Sequence, residues 1–138
     1  MTDSPLRPMM RRDRASAALG MRVEVDEPGR AVVSMTVRED MLNGFDITHG
    51  GLVFALADTA FAIVCNEDEN VTVAAGADIT FLTSTREGQV LTATGTRRAR
   101  NGRTGLYDIT VTDETGDVVA EFRGRSVTTN RPVPEERS

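Results

Sequence analysis

Gly50-Gly51-Leu52-Val53-Phe54-Ala55-Leu56-Ala57-Asp58-Thr59-Ala60-Phe61-Ala62-Ile63-Val64-Cys65 is the stretch on which the fold turns. From Leu52 to Cys65, twelve of fourteen residues are apolar, and the two exceptions, Asp58 and Thr59, stand at the centre. Strands rarely run beyond about 8 residues, so this length predicts a helix. A helix apolar on every side has to be covered on every side. The cover is a sheet wrapped around it, a second subunit, or both.

Working outward, period-2 alternation sets Met21, Val23 and Val25 against Arg22, Glu24 and Asp26. After Pro28-Gly29 it sets Ala31, Val33, Met35 and Val37 against Ser34, Thr36 and Arg38, which predicts a hairpin. Residues 39–49 read as a loop. Residues 9–19 are rich in Ala, Arg and Met and end at Gly20, the pattern of a short surface helix. Downstream, residues 71–82, 89–98, 106–112 and 118–128 are strand-like. Tyr107, Ile109 and Val111 share one face, as do Val118, Ala120 and Phe122, opposite Glu121, Arg123 and Arg125. Turn signals at Glu87-Gly88, Asn101-Gly102 and Thr115-Gly116 predict that these four strands form an antiparallel meander. The order α–β–β–α–β–β–β–β is that of an α+β chain with one domain over residues 9–129. Residues 1–8 and 130–138, which hold four of the five prolines, are expected to be disordered ends.

A chain of 138 residues suffices for one core. With 21 acidic residues against 16 basic ones, all of them Arg, the net charge of -5 argues against nucleic acid as a partner. One cysteine, Cys65, and one histidine, His49, allow neither an internal disulfide nor the usual kind of zinc site, and a reducing, cytoplasmic compartment fits. No apolar run reaches the roughly 18 residues of a membrane span, so no membrane partner is expected. Cys65, at the end of the apolar run, reads as packing.

Asp58 is the residue that needs an explanation. Burying a carboxylate inside an apolar helix costs several kcal/mol unless it is paired or neutralised. It is therefore a structural carboxylate bonded to a neighbouring strand or an Arg, or a catalytic group tuned by its surroundings. His49-Gly50-Gly51 opens the helix, where unpaired N–H groups and a partial positive charge, approachable past two glycines, suit a carbonyl oxygen that gains charge during reaction. The same glycines also suit a plain tight turn. Asp58 lies eight residues beyond Gly50, roughly 12 Å at 1.5 Å per residue, too far for both to serve one carbonyl in a single chain. Two such helices packed antiparallel at about 8–10 Å would bring them together, so if both are functional the site lies between subunits. Asn43, in the preceding loop, has an amide that can donate to the same oxygen, though Asn43-Gly44 is equally a turn signal. His49 reads as a cap or support. Arg97, Arg98, Arg100 and Arg103, around the Asn101-Gly102 turn, form either a site for the phosphates of coenzyme A or a solvated hairpin tip.

Leu42-Asn43-Gly44, His49-Gly50-Gly51, Leu56-Ala57-Asp58-Thr59-Ala60-Phe61-Ala62 and Cys65-Asn66 together resemble the hotdog-fold thioesterases of the PaaI type, associated with phenylacetate degradation. The likeness continues through Phe81-Leu82, residues 105–109 and residues 120–124. It implies a six-stranded antiparallel sheet wrapped around a long central helix, subunits paired helix to helix, and usually a homotetramer built as a dimer of dimers. It also implies hydrolysis of aryl- or acyl-CoA thioesters, such as phenylacetyl-CoA or hydroxyphenylacetyl-CoA, with no cofactor beyond the coenzyme A of the substrate. The roles it implies are Asp58 as the catalytic carboxylate, Gly50 as backbone donor, Asn43 as the amide beside it and His49 as the motif histidine. Two positions depart from the pattern. Ala74, Ala75 and Gly76 stand where some relatives place a water-positioning Ser or Thr, and Thr83-Ser84 replaces an Arg-Pro pair. An enoyl-thioester hydratase or dehydratase and a non-catalytic acyl-CoA-binding module are the alternatives.

Overall fold

The computed structural model describes residues 6–134. In chain order they form α1 (Pro8–Arg11), α2 (Arg14–Ala18), β1 (Arg22–Glu27), β2 (Arg30–Thr36), a 3-10 turn (Glu39–Met41), α3 (Gly50–Cys65), β3 (Asn70–Phe81), β4 (Val90–Asn101), β5 (Thr104–Thr112) and β6 (Val118–Pro132). The strands make one antiparallel sheet in the order β1-β2-β4-β5-β6-β3, curled around α3 in the hotdog arrangement. Leu56, Ala57, Ala60, Phe61, Ile63 and Val64 of α3 are buried against the inward residues of the strands, among them Val33, Met35, Leu91, Ala93, Ile109 and Phe122. The Phe61 ring stands 5.7 Å from that of Phe122 and 5.8 Å from that of Tyr107. A Cβ on Gly124 would come within 2.7 Å of it, so β6 presents bare backbone there.

The sheet corrects the meander. β4, β5 and β6 do follow one another, but β3 lies at the far edge, paired with β6 alone. Its exit is pinned to β6 by the Leu82 N–H to the Val119 carbonyl, at 2.8 Å. The Glu87-Gly88 turn then docks on the end of β2 instead, through Gly88 N–H to Val37 O and Val37 N–H to Gln89 O, both at 2.9 Å. The single helix expected over residues 9–19 is two short ones, because Asp13 leaves the helix to cap α2, its carboxylate accepting from Ser16 N–H at 2.9 Å. Val118 is exposed and Val119 buried, since the register slips between Val111 and Thr112 and turns the start of β6 over.

Both expected ends start too far in. β6 runs to Pro132, opposite Asn70, and Val133 N–H meets Glu69 O at 2.7 Å. Arg7 bonds the carbonyls of Ile63 (2.7 Å) and Asn66 (2.6 Å) while holding Asp26, a cation placed where the C-terminal end of α3 favours one. Residues 1–5 and 135–138 of those two expected ends lie outside the described residues. No helix among the described residues is long and apolar enough to cross a membrane.

Two surfaces of the described chain stay open. Gly51, Ala55, Asp58 and Ala62, spaced to share one face of α3, are exposed or half-buried. The outer edge of β3 has no strand beside it among the described residues, and Val73, Phe81 and Leu82 are exposed on that strand and just past it.

Candidate active site

The loop before α3 is tied at every turn. Leu42 bridges Thr48, and His49 N–H reaches Met41 O at 2.8 Å. Thr48 N–H reaches Thr85 O at 2.8 Å, and the buried Thr48 and Thr85 hydroxyls meet at 2.7 Å. Within the loop, the Asn43 side-chain oxygen accepts from Phe45 N–H at 2.8 Å and from Ile47 N–H at 3.4 Å. That spends the oxygen on the turn. The Asn43 NH2 has no partner among the described residues and is left to donate.

At the start of α3, His49 is the cap, its Nδ1 accepting from Gly51 N–H at 3.2 Å, while Leu52 and Val53 N–H turn back to the His49 carbonyl. This corrects the expected pair of backbone donors. Gly51 is engaged by the imidazole, and Gly50 keeps the N–H without a partner among the described residues. The tip of the Phe81 ring stands over this glycine, 3.2 Å from where a Cβ would sit. Beside it opens a cleft of about 430 Å3 lined by Asp40, Met41, Leu42, His49, Gly51 and Leu52.

Asp58 is not buried in the described chain, contrary to the sequence expectation. It stands exposed on the open face of α3. Its carboxyl is nonetheless raised above the usual aspartate value of 3.8, first because the helix and its surroundings partly desolvate it, second because the Asp13 carboxylate repels its charge. Asp13 is the residue that the sequence reading missed; its signal is the Asp-x-x-Ser spacing of a helix cap, hidden inside an Ala- and Arg-rich run.

The four arginines divide. Arg97 is held by Glu67 at 2.8 Å and Arg100 by Asp68. The side chains of Arg98 and Arg103 are exposed and pair with nothing among the described residues. Ala74 and Ala75 are exposed beside the irregularity at which β3 slips against β6, and residues 74–76 offer no hydroxyl. Thr83 and Ser84 are exposed too. Of the aromatic residues near the site, Phe61 is core, Phe54 packs edge-on to Phe122 at 5.2 Å, and Phe45 stands out in solvent. Burial pushes the Cys65 thiol up to about 12, so it is a packing group and no nucleophile. No cluster of His, Cys, Asp and Glu among the described residues could hold a metal.

The thioesterase superfamily matches residues 45–120 of the chain. Acyl-coenzyme A thioesterase PaaI of Escherichia coli (strain K12) is 43% identical over 118 residues, 86% of this chain and 84% of that protein. The structure of the E. coli PaaI protein, from the phenylacetic acid degradation operon, superposes with a TM-score of 0.88 at 40% identity, covering 91% of each chain. A mutant of the phenylacetic acid degradation protein PaaI of Thermus thermophilus follows at 0.80 and 33% identity, over 85% of this chain and 100% of that one. A Streptococcus mutans UA159 protein bound to acetyl-CoA matches at 0.77 and 25% identity, over 82% and 91%.

Proposed function

Because the chain belongs to the thioesterase superfamily, within it to the PaaI-type hydrolases acting on thioesters, we propose that it hydrolyses acyl-CoA thioesters in a site shared by two copies. The observation that carries this reading is the placement of two complementary groups on one helix. Gly50 N–H at the start of α3 has no partner among the described residues, and the Asp58 carboxylate is exposed roughly 12 Å along the helix. An antiparallel pair of α3 helices crossing midway, near Phe54 and Ala55, sets the Gly50 of each copy beside the Asp58 of the other. The small residues Gly51, Ala55 and Ala62 on the open face allow helices to approach at the close end of the usual 8–10 Å spacing, about 8 Å.

In that site the thioester carbonyl accepts hydrogen bonds from Gly50 N–H and the Asn43 NH2 of one copy, which stabilise the charge that grows on oxygen as the tetrahedral intermediate forms. Asp58 of the other copy acts as nucleophile or as general base. As nucleophile its oxygen bonds to the carbonyl carbon, the C–S bond breaks, coenzyme A leaves as thiolate, and water then opens the mixed anhydride. As base it takes a proton from the water that attacks directly. Both modes consume one water and yield the free acid and coenzyme A. His49 supports the site by capping α3. A single turnover in labelled water separates the modes, since the anhydride route can leave label in the Asp58 carboxylate.

An aryl acyl group, as in phenylacetyl-CoA or hydroxyphenylacetyl-CoA, is the substrate class we propose. The cleft beside Gly51 falls in the about 300–1,000 Å3 range of small-molecule sites, and Met41, Leu42 and Leu52 give it apolar walls. Arg98 and Arg103, exposed cations without a partner among the described residues, are the proposed contacts for the coenzyme A phosphates; Arg97 and Arg100, held by carboxylates, are poorer candidates. The open edge of β3 and its exposed apolar residues support a helix-paired dimer, and a dimer of such dimers is the assembly the resemblance implies. A reducing, cytoplasmic setting suits the buried free thiol of Cys65.

Thiol release followed with a chromogenic reagent across aryl-CoA, fatty acyl-CoA and enoyl-CoA esters tests the reading. The expected result is release from every saturated ester, fastest from the aryl esters. Binding without release would mark a binding module, and hydration of the enoyl ester without release of coenzyme A would mark the hydratase.

A further inference from the structure

A chain of hydrogen bonds, buried at its inner link, runs from the N-terminal helices to the residue next to Asp58. The Asp13 carboxylate, besides capping α2, accepts from Ser16 Oγ at 2.7 Å, and Ser16 Oγ meets Thr59 Oγ1 at 2.9 Å. Ser16 and Thr59 are both buried, at 5% and 8% exposure. Thr59 is the other polar interruption of the apolar helix, and this bond accounts for it. The chain anchors α2 on α3 and holds the Asp13 carboxylate, through Ser16, on the residue that follows Asp58. We infer that Asp13 is a positioning residue for the Asp58 carboxylate: held by its cap and by the Ser16–Thr59 link, its carboxylate acts on the reacting group and shifts upward the pH range in which the enzyme works.

Among the described residues, Asp13 is the charged group whose repulsion acts on Asp58. The strands packed on α3 turn apolar faces to it. On α3 itself Cys65 is a neutral thiol. Arg7 is bound to carbonyls at the far end of the helix and to Asp26, Glu67 beyond it is held by Arg97, and Arg12 and Arg14, which flank Asp13, are exposed. Across the paired helices of the proposed site, on which this inference rests, the partner copy brings the uncharged Gly50 and Asn43 and the titratable His49. Like charges disfavour ionisation, so Asp13 holds the ionisation of Asp58 at a higher pH than partial desolvation alone would. Desolvation is the larger cause, so removing Asp13 shifts the midpoint without abolishing the elevation.

Asp13→Asn is the informative variant, because Asn caps a helix as well as Asp does and keeps an oxygen for Ser16. Two readouts are taken on the full-length protein: the carboxyl NMR titration of Asp58, and kcat/KM for an acyl-CoA ester against pH. The expected result is that the NMR midpoint and the acid limb both move down together. The plateau rate and Tm should stay, and the shift should shrink at high salt. Ser16→Ala, which cuts the link but keeps the charge, is expected to give a smaller shift. An NMR midpoint that does not move in folded Asp13→Asn overturns the inference. So does a fall in Tm and plateau rate with the midpoint unmoved, the mark of a merely structural role. A midpoint that moves while the kinetic limb stays overturns the part assigned to Asp58 in the reaction, and leaves the hold of Asp13 on Asp58 standing.

Discussion

Replacing Asp58 with Asn is expected to lower kcat for acyl-CoA hydrolysis by about 10²- to 10⁴-fold, the range for loss of a positioned acid–base group. That is about 3–5 kcal/mol of barrier. Asn is nearly isosteric and keeps the same face of α3, but it neither attacks a carbonyl nor accepts a proton near neutral pH. KM is expected to change little, since the carboxylate acts at the reacting carbon and not on coenzyme A. In the wild type the working form is the ionised one, so kcat/KM falls as pH drops, with a midpoint above the ordinary 3.8 of aspartate. Stability runs the other way. A carboxyl whose pKa is raised by folding makes its charged form a cost to the folded state, present above the folded pKa and gone below the unfolded one. Asp58→Asn is therefore expected to hold or raise Tm at neutral pH and to lose that gain in acid. Thiol release and thermal unfolding on one preparation check both halves. Loss of activity with a collapsed Tm would point to a structural carboxylate.

A second large loss is expected from Gly50→Pro, a substitution chosen to delete one hydrogen. Gly50 is the first residue of α3, where proline suits helical geometry and the missing N–H breaks no internal bond. His49, just before it, already has φ -60 and ψ 129, the extended conformation that a residue preceding proline prefers. The fold should therefore accept the change. Catalysis should not, because the vacant Gly50 N–H is the proposed donor to the thioester oxygen, and removing one such donor costs about 10²–10³ in kcat. The control is Gly50→Ala, which keeps the N–H and adds a Cβ 3.2 Å from the Phe81 ring, a contact the half-exposed ring relieves by moving a few tenths of an ångström. Gly50→Ala is expected to retain most activity. Equal losses in the two variants, read as initial rates, would transfer the effect from the hydrogen bond to Phe81.

Much of this was legible in the residues themselves. The apolar run of α3, the period-2 strands and the acid at the helix centre come from spacing alone, and the separation of Gly50 from Asp58 follows from helical rise. The rest depends on contacts that spacing does not encode. Nothing in Glu87-Gly88 says that the turn docks on Val37, just past β2, rather than folding β4 back on β3. The cap at Asp13 competes with helix propensity on either side, and the Ser16–Thr59 bond that ties it to α3 is a contact between residues 43 apart. The Gly51 N–H is claimed by the imidazole two residues back, which leaves Gly50 as the donor. Asp58 was expected under cover because apolar residues surround it in sequence, yet Gly51, Ala55, Asp58 and Ala62 line the one face of α3 that the sheet leaves open.

The claim that the site is shared between copies is tested most directly by mixing two dead proteins. Asp58→Asn retains Gly50 and Gly50→Pro retains Asp58, so a heterodimer of the two contains one site with both groups intact and one with neither. Co-refolding in equal amounts, with native mass spectrometry to count heterodimers, is expected to restore thiol release to about a quarter of the wild-type rate, because half of randomly paired dimers are mixed and each recovers one of two sites. Release that stays at the sum of the two parents while heterodimers are present would contradict the account, placing both groups in a site within one chain or removing one of them from the reaction.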